Sequence, residues 1–230
     1  MKQLIKKHIK SVKELNEIEK LCLQKLKEKT TEKEISSFIL KEYQKRGLKT
    51  ENIPRVIVSF GKSTAEIHHF PKSFGLKEGP IMLDLWAKQK GGCYADLTWM
   101  FYKGNPDKKF IYCFNELIKS RNSAMNFIKR CLKDKYLPTM FEIDSIARAY
   151  LAEKHLGYAF QHRIGHSLGG KVHDGGKKEY SNRVQVGKPY ALEPGIYFKG
   201  KFGIRLENDF WIDSNLKLHV TKLQNKLILI

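Results

Sequence analysis

A chain of 230 residues is long enough to bury a real core and suits one domain, or two tightly joined halves. Its 41% hydrophobic and 11% aromatic content excludes wholesale disorder, and no run approaches the ~18 apolar residues of a membrane span. The net charge of +19 comes mostly from lysines spread along the chain without a block of like charges, the pattern of a solvated surface, not of specific nucleic-acid recognition.

Residues 3 to 29 predict a first helix, because Leu4, Ile5, Ile9, Val12, Leu15, Ile18, Leu21 and Leu26 recur at threes and fours between charged residues. Thr31 and Glu34 form a capping-box pattern for a second helix that stops near Gly47. Three strands follow, at 55–60, 81–86 and 93–102, with Gly91-Gly92 as a hairpin turn between the last two. Two long helices, 107–133 and 141–157, flank Pro138. Strands then return at 190–198, 203–212 and 216–230. This order predicts an α+β domain built from two similar halves.

Four cysteines, Cys22, Cys93, Cys113 and Cys131, contain no Cys-x-x-Cys pair, so no zinc knuckle or redox dithiol is written here. With an N-terminus that lacks an apolar signal core, they fit a reducing cytoplasm.

Acidic residues inside apolar runs carry the chemical signal. Asp84, Asp96, Glu193 and Glu207 all sit in strand-like segments, where an uncompensated carboxylate is costly. Four of them in one small domain can hold two divalent cations. His162, His166 and His173 fall within twelve residues in a glycine-rich loop that lets backbone approach a ligand. His68 and His69 form a pair before Pro71, whereas His8, His155 and His219 lie in ordinary surface contexts. No His-Glu-x-x-His, phosphate loop or Gly-x-Ser-x-Gly elbow is present. A carboxylate-dominated set with one histidine prefers a hard ion such as Mn²⁺, with Co²⁺, Fe²⁺ or Zn²⁺ as alternatives.

The ordered set Asp84, Asp96, His166, Glu193, Glu207 resembles the metal ligands of the pita-bread metallopeptidases, which include methionine aminopeptidase, aminopeptidase P, prolidase and creatinase. His162-x-x-x-His166, His173-Asp174, Arg205-x-Glu207-x-Asp209 and Asp96-x-Thr98 look like the aminopeptidase P and prolidase branch. Trp86 stands where that branch commonly has Gly, Trp99 where it has Arg, and Asn208 where it has an acid. The resemblance implies a pita-bread fold of two pseudo-symmetric halves over 1–230, without the N-terminal creatinase-type domain that usually precedes it. It implies two divalent ions bridged by Asp96 and Glu207, one held also by Asp84 and the other by His166 and Glu193.

It further implies a metal-dependent exopeptidase acting on peptides as an Xaa-Pro aminopeptidase, through water activated between the ions. Glu193 would shuttle protons, His173 would stabilise the developing oxyanion, His68 would bind the substrate backbone, and His162 and Arg205 would shape the proline site. Methionine aminopeptidase, Xaa-Pro dipeptidase and a catalytically inert binding module are the alternatives, creatine hydrolysis being disfavoured by the full ligand set. Many relatives dimerise, so a homodimer is expected, with no membrane partner.

Overall fold

The computed structural model describes residues 2–26, 29–51, 55–176 and 179–230. Helix α1 spans Lys2–Lys25 and α2 spans Glu32–Lys45. The first helix therefore stops short of residue 29, and residues 27 and 28 of that expectation lie outside the described ones. Helix α2 starts on the foreseen capping box: the Thr31 hydroxyl accepts the Glu34 N–H, and the Glu34 carboxylate accepts the Thr31 N–H.

Strands β1 (Ile57–Phe60), β2 (Gly79–Ala87) and β3 (Ala95–Lys103) form an antiparallel sheet, extended by a parallel β9 (Ile228–Leu229) beside β3. The β2–β3 hairpin turns near Gly91, whose φ of 65° is a conformation that suits glycine. Side-chain alternation sorts this hairpin into two faces. Ile81, Leu83 and Leu85 of β2 and Ala95, Leu97, Trp99 and Phe101 of β3 join the apolar core under α1 and α2. The opposite face carries Met82, Asp84 and Trp86 of β2 with Asp96, Thr98 and Met100 of β3. Trp99 thus belongs to the core, and Trp86 to the face of the carboxylates.

The second half opens with α3 (Lys108–Lys133), capped by Asp107, and α4 (Met140–Glu153), which carries a second capping box from Thr139 and Glu142. Both pack on a core that includes Phe114, Leu117, Ile143, Ile196 and Phe210. Each buried aliphatic or aromatic side chain there is worth about 1.5–3 kcal/mol.

The expected strands 190–198 and 203–212 are each broken. The first becomes β4 (Tyr190–Leu192) and β5 (Gly195–Phe198), separated by Glu193-Pro194. The second becomes β6 (Phe202–Arg205) and β7 (Asn208–Ile212), separated by Leu206-Glu207. Strand β4 pairs with β7, which continues to β8 (Leu218–Val220), while β5 pairs with β6 in a separate ribbon. Both interruptions fall on residues that carry candidate ligands. Pro194 has no N–H for a ladder, which accounts for the first. The expected 216–230 strand reduces to β8 and β9.

His8 is not on the surface as its context suggested. It is fully buried, with Nδ1 2.8 Å from the Tyr94 carbonyl oxygen and Nε2 3.5 Å from the Asp209 carboxylate. Its place four residues after Leu4 and four before Val12 puts it on the apolar stripe of α1, which is the physical reason.

Glu32 ties the start of α2 to the segment that bears the two neighbouring histidines. Its carboxylate accepts the N–H groups of Phe60 (2.7 Å) and Lys72 (2.8 Å) and faces His69 Nε2 at 2.7 Å. His69 Nδ1 lies 2.7 Å from Glu66. Burial pulls the His69 pKa down, but its hydrogen bonds to Glu32 and Glu66 outweigh burial and hold it above the ordinary value. A raised histidine pKa stabilises the fold fully below the unfolded value of about 6.5, and that stabilisation is lost as pH rises through the folded value. Wild type should therefore exceed His69→Gln in unfolding free energy by about 1–3 kcal/mol near pH 6, with the gap shrinking as pH rises through the folded value. Paired denaturant titrations across that range check this, and a gap independent of pH would refute it.

Candidate active site

Between the two halves lies a cavity of about 660 Å³ that includes among its walls Asp84, Asp96, His166, Glu193 and Glu207. The β2–β3 register supplies the first two, because Asp84 stands opposite Thr98 and Trp86 opposite Asp96 on one face of the hairpin. Glu207 arrives at the β6–β7 break. There a single bridge pairs it with Thr98, whose hydroxyl donates to the Glu207 carboxylate at 2.6 Å.

His166 and Glu193 come as a pair. The extended segment 164–168 runs antiparallel to β4 and its flanks, so that the Ala191 N–H donates to the His166 carbonyl (2.9 Å) and the Glu193 N–H to the Ile164 carbonyl (2.7 Å). Helix α4 holds the same segment from below. Asp144 accepts the Ile164 N–H at 2.9 Å, and Arg148 donates to the carbonyl groups of Phe160 and His162. Gly165 permits the close approach, since a Cβ there would stand 2.0 Å from the Ala191 oxygen.

One ligand atom each from Asp96, His166 and Glu207 lies within 4.8 Å of the other two. His166 Nε2 is 3.5 Å from Glu193 and 3.7 Å from Asp96. These are not ion pairs: burial, and then His173, lower the His166 pKa to about 3, so the ring is neutral near pH 7. A proton on Nδ1, which faces the Ser167 carbonyl at 3.4 Å, leaves Nε2 as a lone pair directed at the carboxylates.

Burial pushes the carboxyl pKa values of Asp84, Asp96, Glu193 and Glu207 upward, Glu193 to about 8. Mutual repulsion adds to this, Glu207 being the largest charge acting on Asp96, and Glu193 the largest acting on Glu207. Among the described residues only Asp84 of the four has an ion-pair partner, the Arg205 guanidinium. Four crowded acids facing one neutral imidazole lone pair are a donor set that fits divalent metal.

Arg205 is itself buried and donates also to Thr98 Oγ1 (3.3 Å), the Ile67 carbonyl (3.3 Å) and the Tyr197 hydroxyl (3.0 Å). Tyr197 in turn lies 2.8 Å from His162 Nε2, while His162 Nδ1 faces the Arg163 carbonyl at 2.8 Å. Burial, then the Arg205 charge, lowers the His162 pKa to about 4. His173 stacks on His166 with ring centres 3.9 Å apart, and burial lowers its pKa against the pull of Glu51 and Glu179. His68 lines the cavity, whereas His69 is buried on Glu32 outside it. All nine predicted site residues therefore line one cavity.

Sequence reasoning missed Tyr197, Asp144, Arg148 and the pair His8–Asp209. Asp209 accepts the Asp96 N–H at 3.1 Å and so supports that ligand from behind. The four-residue spacing of Asp144 and Arg148 on a helix was a readable signal.

The model of metallopeptidase family M24 matches residues 7–214. An uncharacterized peptidase of Staphylococcus aureus (strain MRSA252) is 30% identical over 225 residues, covering 92% of this chain and 61% of that protein. Among solved structures, an X-Pro aminopeptidase from Thermotoga maritima MSB8 superposes with a TM-score of 0.86 at 23% identity, covering 100% of this chain and 63% of its own. An Xaa-Pro dipeptidase from Bacillus anthracis gives 0.87 at 24% identity, with the same coverage. The chain spans about three-fifths of the length of the curated relatives it matches.

Proposed function

The chain belongs to metallopeptidase family M24 and has its pita-bread fold, and from that premise we propose that it is a two-metal exopeptidase releasing the N-terminal residue that precedes proline. The observation that carries this reading is the convergence of Asp84, Asp96, His166, Glu193 and Glu207 on one cavity beside His68, His162 and His173. Those five residues would hold two divalent ions, which would supply an activated water at neutral pH and polarise the scissile carbonyl. Asp96 and Glu207 would be shared between the ions, with Asp84 holding one and His166 and Glu193 the other. Manganese is the preferred ion on donor hardness.

The remaining work falls to the chain's own side chains. Glu193 takes the proton of the attacking water and returns it to the departing nitrogen as the C–N bond breaks. His173 donates to the carbonyl oxygen as negative charge develops there. His68 holds the peptide backbone, and the ring of His162, fixed by Tyr197, walls the proline. Arg205 braces Asp84, Thr98 and Tyr197 together at the edge of that wall. All four cysteines are unpaired and buried, which supports the cytoplasm as the compartment.

A peptide panel tests the substrate. With Mn²⁺ or Co²⁺ present, Ala-Pro-Ala and Ala-Pro should be cleaved at least about tenfold faster than Met-Ala-Ser, a difference of one good hydrogen bond or packed ring. Removal of Met before Ala with no cleavage before Pro would overturn the proline assignment and leave the family intact.

A further inference from the structure

We propose that Arg55 is the subsite for the free C-terminal carboxylate of a short peptide, an inference that rests on the exopeptidase reading above. Arg55 lies two residues before Ile57, the cross-strand partner of Asp84, and lines the same cavity. Its guanidinium carbon is 4.6 Å from the Phe70 ring centre and 6.0 Å from that of Trp86. Two aromatic rings therefore fix the plane of the cation without neutralising it.

No carboxylate among the described residues pairs with Arg55, although Glu51 and Glu179 share the cavity. Its Nε and the neighbouring Trp86 Nε1 are both buried without a hydrogen-bond partner among the described residues, in a side chain only 7% exposed in the case of Trp86. An arginine held in this way beside a peptide-binding centre is matched to a planar anion that takes two parallel hydrogen bonds.

The distance is right for a dipeptide. Trp86 stands two residues beyond Asp84 on β2, about 6.6 Å along the strand. A bound dipeptide spans about 7 Å, so a peptide with its amine at the Asp84 side places its terminal carboxylate within reach of Arg55. Arg163, the other cavity arginine without an ion pair among the described residues, lies over Tyr180 at 4.6 Å on the exposed side and serves as the internal comparison.

The test compares Ala-Pro, Ala-Pro-NH₂ and the pair Ala-Pro-Glu-NH₂ and Ala-Pro-Gln-NH₂ on wild type, Arg55→Gln and Arg163→Gln. Wild type should favour Ala-Pro over its amide by about ten- to a hundredfold, mostly through KM, as expected for a charge-assisted bidentate contact. Arg55→Gln should remove most of that preference, and Arg163→Gln should keep it. A preference that survives Arg55→Gln, or that is lost only in Arg163→Gln, would overturn the proposal. So would an Arg55-dependent preference for the Glu peptide over the Gln peptide, which would assign the site to an acidic side chain. Calorimetry with Ala-Pro and Ala-Pro-NH₂ on Glu193→Gln, with and without Arg55→Gln, reads the same ratio as affinities. If wild type cleaves none of these peptides but the affinity ratio depends on Arg55, the exopeptidase reading fails and the carboxylate subsite stands.

Discussion

Replacing Glu207 with alanine is expected to abolish peptide hydrolysis and to remove most of the bound metal. Its carboxylate is placed at the β6–β7 break and fixed by the Thr98 hydroxyl at 2.6 Å, so its position does not depend on an ion. If it bridges two cations, its loss weakens both sites at once, and activity should fall at least about a thousandfold, the several kcal/mol that metal activation supplies. The fold should survive. Burial and the charges of Glu193 and Asp84 already disfavour ionisation of Glu207, so removing it relieves repulsion in the metal-free protein. His173→Ala provides the contrast, because that ring stacks on His166 without belonging to the ligand cluster. It should keep its metal while kcat drops about a hundred- to a thousandfold, as when one oxyanion donor is lost. Metal analysis beside steady-state kinetics separates the two. A Glu207→Ala protein with a full metal complement would remove the bridging role.

Gly165→Ala is expected to damage the site through the backbone alone. A Cβ would stand 2.0 Å from the Ala191 oxygen and 2.9 Å from its carbon, both rigid backbone atoms. The 164–168 segment must then withdraw from β4, at the expense of the Ala191–His166 and Glu193–Ile164 hydrogen bonds that place two ligands together. We expect a loss of about 2–4 kcal/mol in stability, in the range of a backbone-displacing overpacking change. Metal affinity should fall by a hundredfold or more, since misplacing two ligands exceeds the ~10–100-fold effect of losing one supporting contact. Gly170→Ala is the control, because a Cβ there meets nothing within 4 Å. Equal metal affinity in the two variants, measured by competition with a chelator, would show that the glycine serves no positioning role.

Much of this site was legible because carboxylates in apolar strands are costly and therefore informative. Asp84 and Asp96 stood out against Ile81-Met82-Leu83 and Leu97, and the hairpin register sets them on one face as period-two alternation requires. Glu193 and Glu207 were equally visible, but not the strand breaks beneath them. An apolar run reads as continuous until the pairing partner is known, and β4 and β5 turn out to pair with different strands. The pair His68–His69 looks alike in sequence, whereas in the fold Glu32 claims His69 and His68 lines the cavity. His8 escaped because a histidine reads as polar, although its spacing to Val12 sets it on the apolar stripe of α1, where it meets Asp209. Tyr197 escaped because its role is a hydrogen bond to His162 across 35 positions of sequence.

The contacts that hold the site together also fix when it can exist. Asp96 is joined to Asp209 across 113 positions, Thr98 to Glu207 across 109, and Asp84 to Arg205 across 121. Such separations make closure slow, since chain entropy must be spent before any of these contacts is gained. During synthesis at about 5–20 residues per second, the β2–β3 hairpin would emerge several seconds before its partners in β6 and β7. Throughout that interval the nascent chain presents two acids but no enclosed ligand set. Assembly of the centre is in this way coupled to completion of the second half, and an ion captured there reports a chain that has finished folding.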